Sequence, residues 1–330
     1  MTYNAALLRA LAPGGPVSGA ALGRELGISR TAVWKAVRRL VELGLEIEAL
    51  PGRGYRLAQP ISLLDAAAVR AALPADVAKR VAVVEVLADT DSTNARVLAA
   101  ERPVGELVVC LAEYQSAGRG RRGRRWLSPP GAGICLSVGG RLPAAPSDYA
   151  ALPTAVGVAS ATALEGLGVP GIALKWPNDL LLHGGKLGGI LIELRGESQG
   201  PATIAVGLGL NVRLGPAARA AIAMAGGLPP ADLASAAGAA MLERNIVAGA
   251  LIAAIAGCLR RAPAGLSDAV LSGWRQRDYL WGRQVRIEDA GAGRTGIARG
   301  LDPSGALLLE DAGGSRHRVT AGEVTLRTIE

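Results

Sequence analysis

Five arginines fall within eight residues at Gly118-Arg119-Gly120-Arg121-Arg122-Gly123-Arg124-Arg125, with glycines between them and no acidic side chain. Guanidinium groups that close repel one another, and the glycines lay bare backbone N–H donors. Such a segment suits an anion and stays mobile until one orders it. It is neither a Walker phosphate loop nor a dinucleotide fingerprint, because no Gly-Lys-Ser/Thr follows and the glycine spacing differs. A tract that binds RNA non-specifically is the alternative, but one short run wedged between two apolar strands reads better as a loop closing over a ligand. A second concentration of polar groups lies at Lys175-Trp176-Pro177-Asn178-Asp179 and Lys186-Leu187-Gly188-Gly189, which hold two of the chain's four lysines. Lysine offers a compact cation to phosphate or carboxylate, and paired glycines allow close approach. The Pro-Asn-Asp turn serves equally well as a hairpin connection held by an Asx hydrogen bond. Asn178 and Asp179 carry oxygens suited to Mg²⁺, though two such residues are weak evidence for a dedicated metal site.

The surrounding composition makes those lysines conspicuous. In 330 residues, 50% of them hydrophobic and 19% charged, only Lys35, Lys79, Lys175 and Lys186 are lysine, the other 32 basic residues are arginine, and phenylalanine is absent. The chain can bury a large core, which excludes disorder as its main state, and its length fits two or three domains. The net charge of +8 is compatible with a polyanion partner. It is concentrated in two places, residues 1–60 with 8 basic against 4 acidic side chains and the arginine loop. Cys110, Cys135 and Cys258 are too widely spaced for a disulfide framework or a paired metal site, and His183 and His317 are too few for a histidine one. A reduced cytosol is expected. No export signal and no continuous 18-residue apolar span stand in the sequence, so no membrane partner is expected.

Elements must hold these residues in place. Ser18 caps a helix through Leu26, Gly27 supplies a left-handed end, and Ser29 caps the next helix, whose apolar face is Val33, Val37, Leu40 and Val41. The run LEIEALPGRGYRLAQ alternates around a glycine-rich tip, which predicts a hairpin wing. A plain helical bundle with a hairpin attached fits the same pattern; together with the local charge, the pattern favours a winged helix-turn-helix over residues 1–62. Its candidate DNA contacts are Ser29, Arg30, Thr31, Trp34, Lys35 and Arg38 on the second helix, with Arg53 on the wing. From residue 63 to 276, strands and helices interleave, with a hairpin-like succession after residue 170. An α+β domain follows, a mixed and largely antiparallel sheet with helices on one face. Residues 215–270 read as helical with turn punctuation at Gly226-Gly227-Leu228-Pro229-Pro230. Residues 277–330 read as short strands of a small β-barrel.

The order STN, EYQSAGRGRRGRRW, KWPND, KLGGILIE, GLGLNV resembles the biotin protein ligases over essentially the whole chain. The N-terminal unit further resembles that of the bifunctional bacterial group that also represses the biotin operon. The resemblance implies a class II aminoacyl-tRNA synthetase-like ligase fold with an SH3-like C-terminal barrel. It implies that biotin and MgATP form biotinyl-5′-adenylate, and that biotin then passes to a lysine of a biotin carboxyl carrier protein, the acetyl-CoA carboxylase subunit. Operator DNA and a ligand-dependent homodimer are the other implied partners. In these terms Ser92, Thr93 and Gln115 offer polar groups to the ureido ring, with Asn94 beside them in the motif. Arg119, Gly120, Arg121 and Lys186 meet the carboxylate and α-phosphate, and Arg119, Arg121 and Lys186 carry the catalytic electrostatics. Arg122, Arg124, Trp126, Lys175, Asn178 and Asn211 belong to the ATP and adenylate side, with Asp179 a candidate for Mg²⁺. The family's aromatic wall against adenine has no counterpart, since residues 213–235 contain no aromatic side chain, which leaves Leu214, Ile222 or Met224. A lipoate or octanoate ligase and a non-catalytic, anion-sensing transcription factor are the rival readings.

Overall fold

The computed structural model describes residues 3–196, 200–236, 243–262, 265–289, 292–320 and 322–326. It opens with helices α1 (Ala5–Leu11), α2 (Gly19–Leu26) and α3 (Arg30–Glu42), then a hairpin of β1 (Ile47–Leu50) and β2 (Gly54–Leu57). The Ser18 and Ser29 hydroxyls accept from the Ala21 and Ala32 amides, and Gly27 ends α2 with φ 64°. Val33, Val37 and Leu40 pack onto Leu7, Leu8, Leu11 and Leu22. Val41 is instead 47% exposed, because the helical repeat carries it about 80° round from Val33, off the buried stripe. The segment before α2 joins the wing, Val17 and Tyr55 exchanging both backbone hydrogen bonds at 2.8 and 2.9 Å. Gly54 makes that possible with φ 102°, and a β-carbon there would run into the Val17 carbonyl. Gly54→Ala is therefore expected to cost more than about 1 kcal/mol, read as an earlier unfolding of the N-terminal unit by hydrogen exchange.

Two short helices, α4 (Ala66–Ala71) and α5 (Ala75–Ala78), lead to β3 (Val81–Thr90), α6 (Thr93–Ala99), β4 (Leu107–Gln115) and β5 (Gly133–Leu142). Next come α7 (Leu152–Gly166), β6 (Ile172–Lys175), β7 (Asp179–Leu182), β8 (Gly185–Arg195) and β9 (Ala202–Asn211). These strands form one seven-stranded sheet in the order β3-β4-β5-β9-β8-β7-β6. All neighbours are antiparallel except β3 and β4, which α6 connects. After β9 stand α8 (Pro216–Met224), α9 (Arg244–Arg261) and α10 (Asp268–Arg277). α8 stops ahead of Gly226 and Gly227, whose φ values of 83° and 100° leave the helical region, and Pro229 and Pro230, with no N–H to give, do not resume it. That stretch runs extended instead, Lys186 N donating to Pro229 O at 2.7 Å and Ala231 N to Lys186 O at 2.9 Å.

Strand alternation sorts the sheet into two unlike faces. Leu107, Val109 and Leu111, Ile134, Leu136 and Val138, and Ile204, Val206, Leu208 and Leu210 enter the main core with α4, α7, α9 and α10. The intervening residues are small: Cys135, Ser137 and Gly139 on β5, and Ala205, Gly207 and Gly209 on β9. α6 takes this opposite face, Val97 and Leu98 packing on Val108, Cys110 and Ala205. The site lies beside it.

The last strands, β10 (Gln284–Asp289), β11 (Ala292–Leu301), β12 (Leu307–Glu310), β13 (Arg316–Val319) and β14 (Glu323–Leu326), form an antiparallel sheet in the order β13-β12-β11-β10-β14. Its Val285, Ile287, Leu307 and Leu309 share the main core, and Trp176 Nε1 donates to Gly305 O at 3.1 Å. The N-terminal unit is fastened too. The Tyr3 hydroxyl donates to Ala88 O at 2.8 Å, and its ring stands edge-on to Tyr114 at 6.2 Å. Burial, with Glu113 nearby, pushes the Tyr3 pKa well above its ordinary value. Behind the linker, buried Arg244 reaches Ser62 O at 2.8 Å, Gly133 O at 2.6 Å and Glu113 at 2.9 Å. Glu113 Oε1 in turn accepts from Leu64 N at 2.6 Å. No helix among the described residues is long and apolar enough to cross a membrane.

Candidate anion and small-molecule site

A cleft opens on the small-residue face, lined by Ser92, Thr93 and Asn94 at the start of α6, by Gln115, Arg119, Gly120 and Trp126, and by β5, β8 and β9. Cys135, Gly189, Gly207 and Gly209 make its floor, so the alternation of small residues is what hollows it out. Added β-carbons show how close the walls come. At Gly207 one would lie 2.5 Å from Asn94 Oδ1, and at Gly209 2.7 Å from the Trp126 indole nitrogen.

One end is a chain of fixed polar groups. Gln115 Oε1 accepts from Thr93 N at 2.8 Å and Thr93 Oγ1 at 3.1 Å. That fixes the amide and leaves its Nε2 as a donor. Buried Ser137 places Oγ 2.7 Å from Thr93 Oγ1 and 2.6 Å from Asn94 Oδ1. Asn94 Nδ2 donates to Leu191 O at 3.1 Å and Glu193 at 2.7 Å. Ser92 caps α6, and its amide donates to Asp91, helping to hold that carboxyl below its usual pKa. A neutral ring bearing an acceptor for the Gln115 Nε2 donor matches this end, and an all-carbon head group would offer that donor nothing.

The other end is cationic. Lys186 Nζ lies 2.7 Å from Asp179 Oδ1. Burial lowers the Lys175 pKa, with Lys186 and Arg124 adding repulsion and Asp179 opposing it. Burial, then Arg122 and Arg124, likewise lowers that of Arg121, again against Asp179. Several cations thus gather around a single carboxylate, where a phosphate or carboxylate would be strongly held. The same geometry tells against protein-held Mg²⁺ at Asp179. Its Oδ1 is paired with Lys186, and one carboxylate oxygen serves here as the lysine's counter-ion.

The arginine loop is folded back on itself: Arg119 bridges to Arg125, Gly120 N donates to Arg124 O at 2.7 Å, and Arg122 adopts φ 54°. Arg119, expected at the carboxylate end, turns to the polar end, 3.2 Å from Glu193 and 3.4 Å from Ser92. Asn178 lines the cleft and donates to Ile190 O at 2.6 Å. Asn211 does not line it. Buried, it donates to Lys186 O at 3.3 Å and Ala231 O at 3.0 Å, holding the lysine's backbone. Leu214, Ile222 and Met224 are not in the lining, Leu214 being buried elsewhere and Met224 89% exposed. Trp126 lines the cleft, its Nε1 buried with no protein partner among the described residues. Glu193, Gly207 and Gly209 stand inside the KLGGILIE and GLGLNV motifs with no role assigned from sequence, and Ser137 stands outside the quoted motifs. The period-two spacing within GICLS, LIE and GLGLN is the signal that places all four on one face.

On the N-terminal unit, Ser29, Arg30, Thr31, Trp34, Lys35, Arg38 and Arg53 are all exposed. The Ser29 hydroxyl is taken by its capping bond, and the Arg38 guanidinium lies 5.0 Å from the Trp34 ring centroid.

Residues 86–211 match the model of the biotin/lipoate A/B protein ligase family, residues 5–56 an HTH domain, and residues 281–327 the biotin protein ligase C-terminal domain. The chain is 37% identical to the bifunctional ligase/repressor BirA of Salmonella typhimurium, over 100% of this chain and 99% of that one. It is 35% identical to a biotin–[acetyl-CoA-carboxylase] ligase of Paracoccus denitrificans, over 72% of this chain and 98% of the relative. Among solved structures, the biotin protein ligase from Aquifex aeolicus in complex with biotin and ATP is similar in fold, with a TM-score of 0.59 and 24% identity. The match covers 74% of this chain and 98% of that one.

Proposed function

The chain belongs to the biotin protein ligases, within the group of bifunctional ligase/repressors, and from that membership we infer the reaction its cleft performs. It joins biotin to a lysine of a biotin carboxyl carrier protein at the expense of ATP, and it represses biotin synthesis genes through its N-terminal unit. One observation carries the site assignment: a polar end that can pair a ureido ring and a cationic end that can hold carboxylate and phosphate share a single cleft.

In this reading Ser92, Thr93 and Gln115 hold the ring, with Asn94 fixing Ser137 beneath it. The biotin carboxylate oxygen attacks the α-phosphorus of ATP and pyrophosphate leaves. Negative charge grows on the phosphoryl oxygens during attack, and Lys186, with Arg121, Lys175 and Arg124 about it, stabilises that charge more than the ground state. The carrier lysine's neutral amine then attacks the biotinyl carbonyl, expelling AMP. No side-chain nucleophile is needed, and burial pushes the Cys135 thiol up to about 11, which keeps it a protonated wall residue. Mg²⁺ enters with the triphosphate, since Asp179 is engaged by Lys186. Trp126 faces the bound ligand. We assign residues 1–62 to DNA reading, 63–276 to catalysis and 277–330 to the appended sheet, with the reaction in the cytosol and a ligand-dependent dimer engaging a two-fold operator.

Incubation with biotin and MgATP, followed by mass spectrometry, tests the assignment: biotinyl-adenylate and pyrophosphate should form only when both substrates are present. Lipoate in place of biotin should bind more weakly, because its dithiolane ring offers no acceptor to the Gln115 Nε2 donor. Equal binding would favour the lipoate reading. On the DNA side, Lys35→Ala is expected to weaken binding to all sequences alike and to reduce the slope of log affinity against log salt by about one. Titrations at several salt concentrations read both effects.

A further inference from the structure

We propose that Glu193 is a positioning residue that seats the arginine loop over the biotin end of the cleft. This rests on the ligase reading. Glu193 lies near the end of β8, seven residues after Lys186, so their backbones are about 20 Å apart along the strand. It therefore serves the polar end of the cleft, remote from the phosphate cluster.

Its carboxylate does two things at once. Oε2 accepts from Asn94 Nδ2 at 2.7 Å, and Oε1 faces Arg119 Nη1 at 3.2 Å. Asn94 is the second residue of α6, and its own Oδ1 meets Ser137, which in turn meets Thr93. Arg119 is the first arginine of the loop, and its second amino nitrogen reaches Ser92. Glu193 thus ties the loop to the same helix start that presents Ser92 and Thr93. Gly120, the next residue, lines the cleft. With Arg119 anchored, the Gly120 backbone is held where a bound ring would meet it; without the anchor, the mutually repelling arginines leave that seat open. Arg119 acts here through its counter-ion, leaving the developing phosphoryl charge to Lys186 and Arg121.

Glu193→Gln keeps the shape and an acceptor for Asn94 while removing the charge facing Arg119. It is expected to raise KM for biotin about fivefold, the worth of one partly exposed ion pair, with a smaller effect on kcat and on KM for ATP. Glu193→Asp, which restores the charge, should recover part of that loss. Trypsin provides a readout independent of activity: in ligand-free protein the Gln variant should be cut in the 119–125 segment several-fold faster than wild type, at equal Tm. Wild-type values for both KM and cleavage would overturn the proposal. So would a KM increase that tracks a lowered Tm in the Gln and Asp variants alike. Wild-type protein that forms no adenylate would overturn the ligase reading instead, while the trypsin comparison would still decide the role of Glu193.

Discussion

Lys186→Ala is expected to reduce biotin-dependent pyrophosphate release by about 10²- to 10³-fold, the scale of losing one preorganised charge donor at a transition state. The substitution is clean because the lysine's backbone is held independently of its side chain. Its N–H donates to Pro229 O, its carbonyl accepts from Ala231 N, and Asn211 adds a bond to the same carbonyl. Alanine therefore removes the cation and leaves the strand in register. It also leaves Asp179 without its 2.7 Å partner, so a carboxylate then faces the incoming phosphate, and loss of attraction is compounded by repulsion. Lys186→Arg should not restore the rate, since a planar fork cannot occupy the space of a compact ammonium beside Gly189. Steady-state pyrophosphate assays with a thermal melt alongside separate the two effects. Near-normal turnover of a well-folded alanine variant would sink the assignment.

Arg244→Ala is expected to be the most damaging single change to stability, about 3–5 kcal/mol. Arg244 and Glu113 have only 3% and 7% of their side chains exposed. At 2.9 Å the pair is an ion contact, and the arginine's better-aligned hydrogen bonds go to the Ser62 and Gly133 carbonyls. Truncation strands one buried carboxylate and two carbonyls together, so the cost is that of unpaired polar groups more than of the contacts themselves. Glu113→Gln, paired with the same truncation, should recover part of the loss, because a neutral amide is less costly to bury. Denaturant melts of the two single variants and the double variant measure this coupling.

The sequence showed the reach of motif reading and its limits. The caps at Ser18 and Ser29 and the wing turn were legible because each is set by local chemistry within a few residues. The Arg/Gly loop and the two lysine motifs were legible as anion binders, because charge density is a property of the chain. Their division of labour was not. Arg119 turns toward Glu193, 74 residues away in sequence, and only the packing of α6 against β8 sets that direction. Asn211 reads as a ligand residue in a motif, yet it ties Lys186 to the Pro229–Ala231 stretch from the neighbouring strand. Asp179 carries a metal-binding oxygen in isolation and a lysine's counter-ion in place.

The floor of the cleft also acts as a graded ruler. A methyl group added at Gly189 would sit in ordinary contact with Lys186 and Asp179, 3.5–3.6 Å away, whereas the same group at Gly207 would displace Asn94 and at Gly209 would press on Trp126. Added bulk at Gly207 or Gly209 would therefore reshape the walls of the cleft, whereas at Gly189 it would bear on the very lysine and counter-ion that carry out the chemistry.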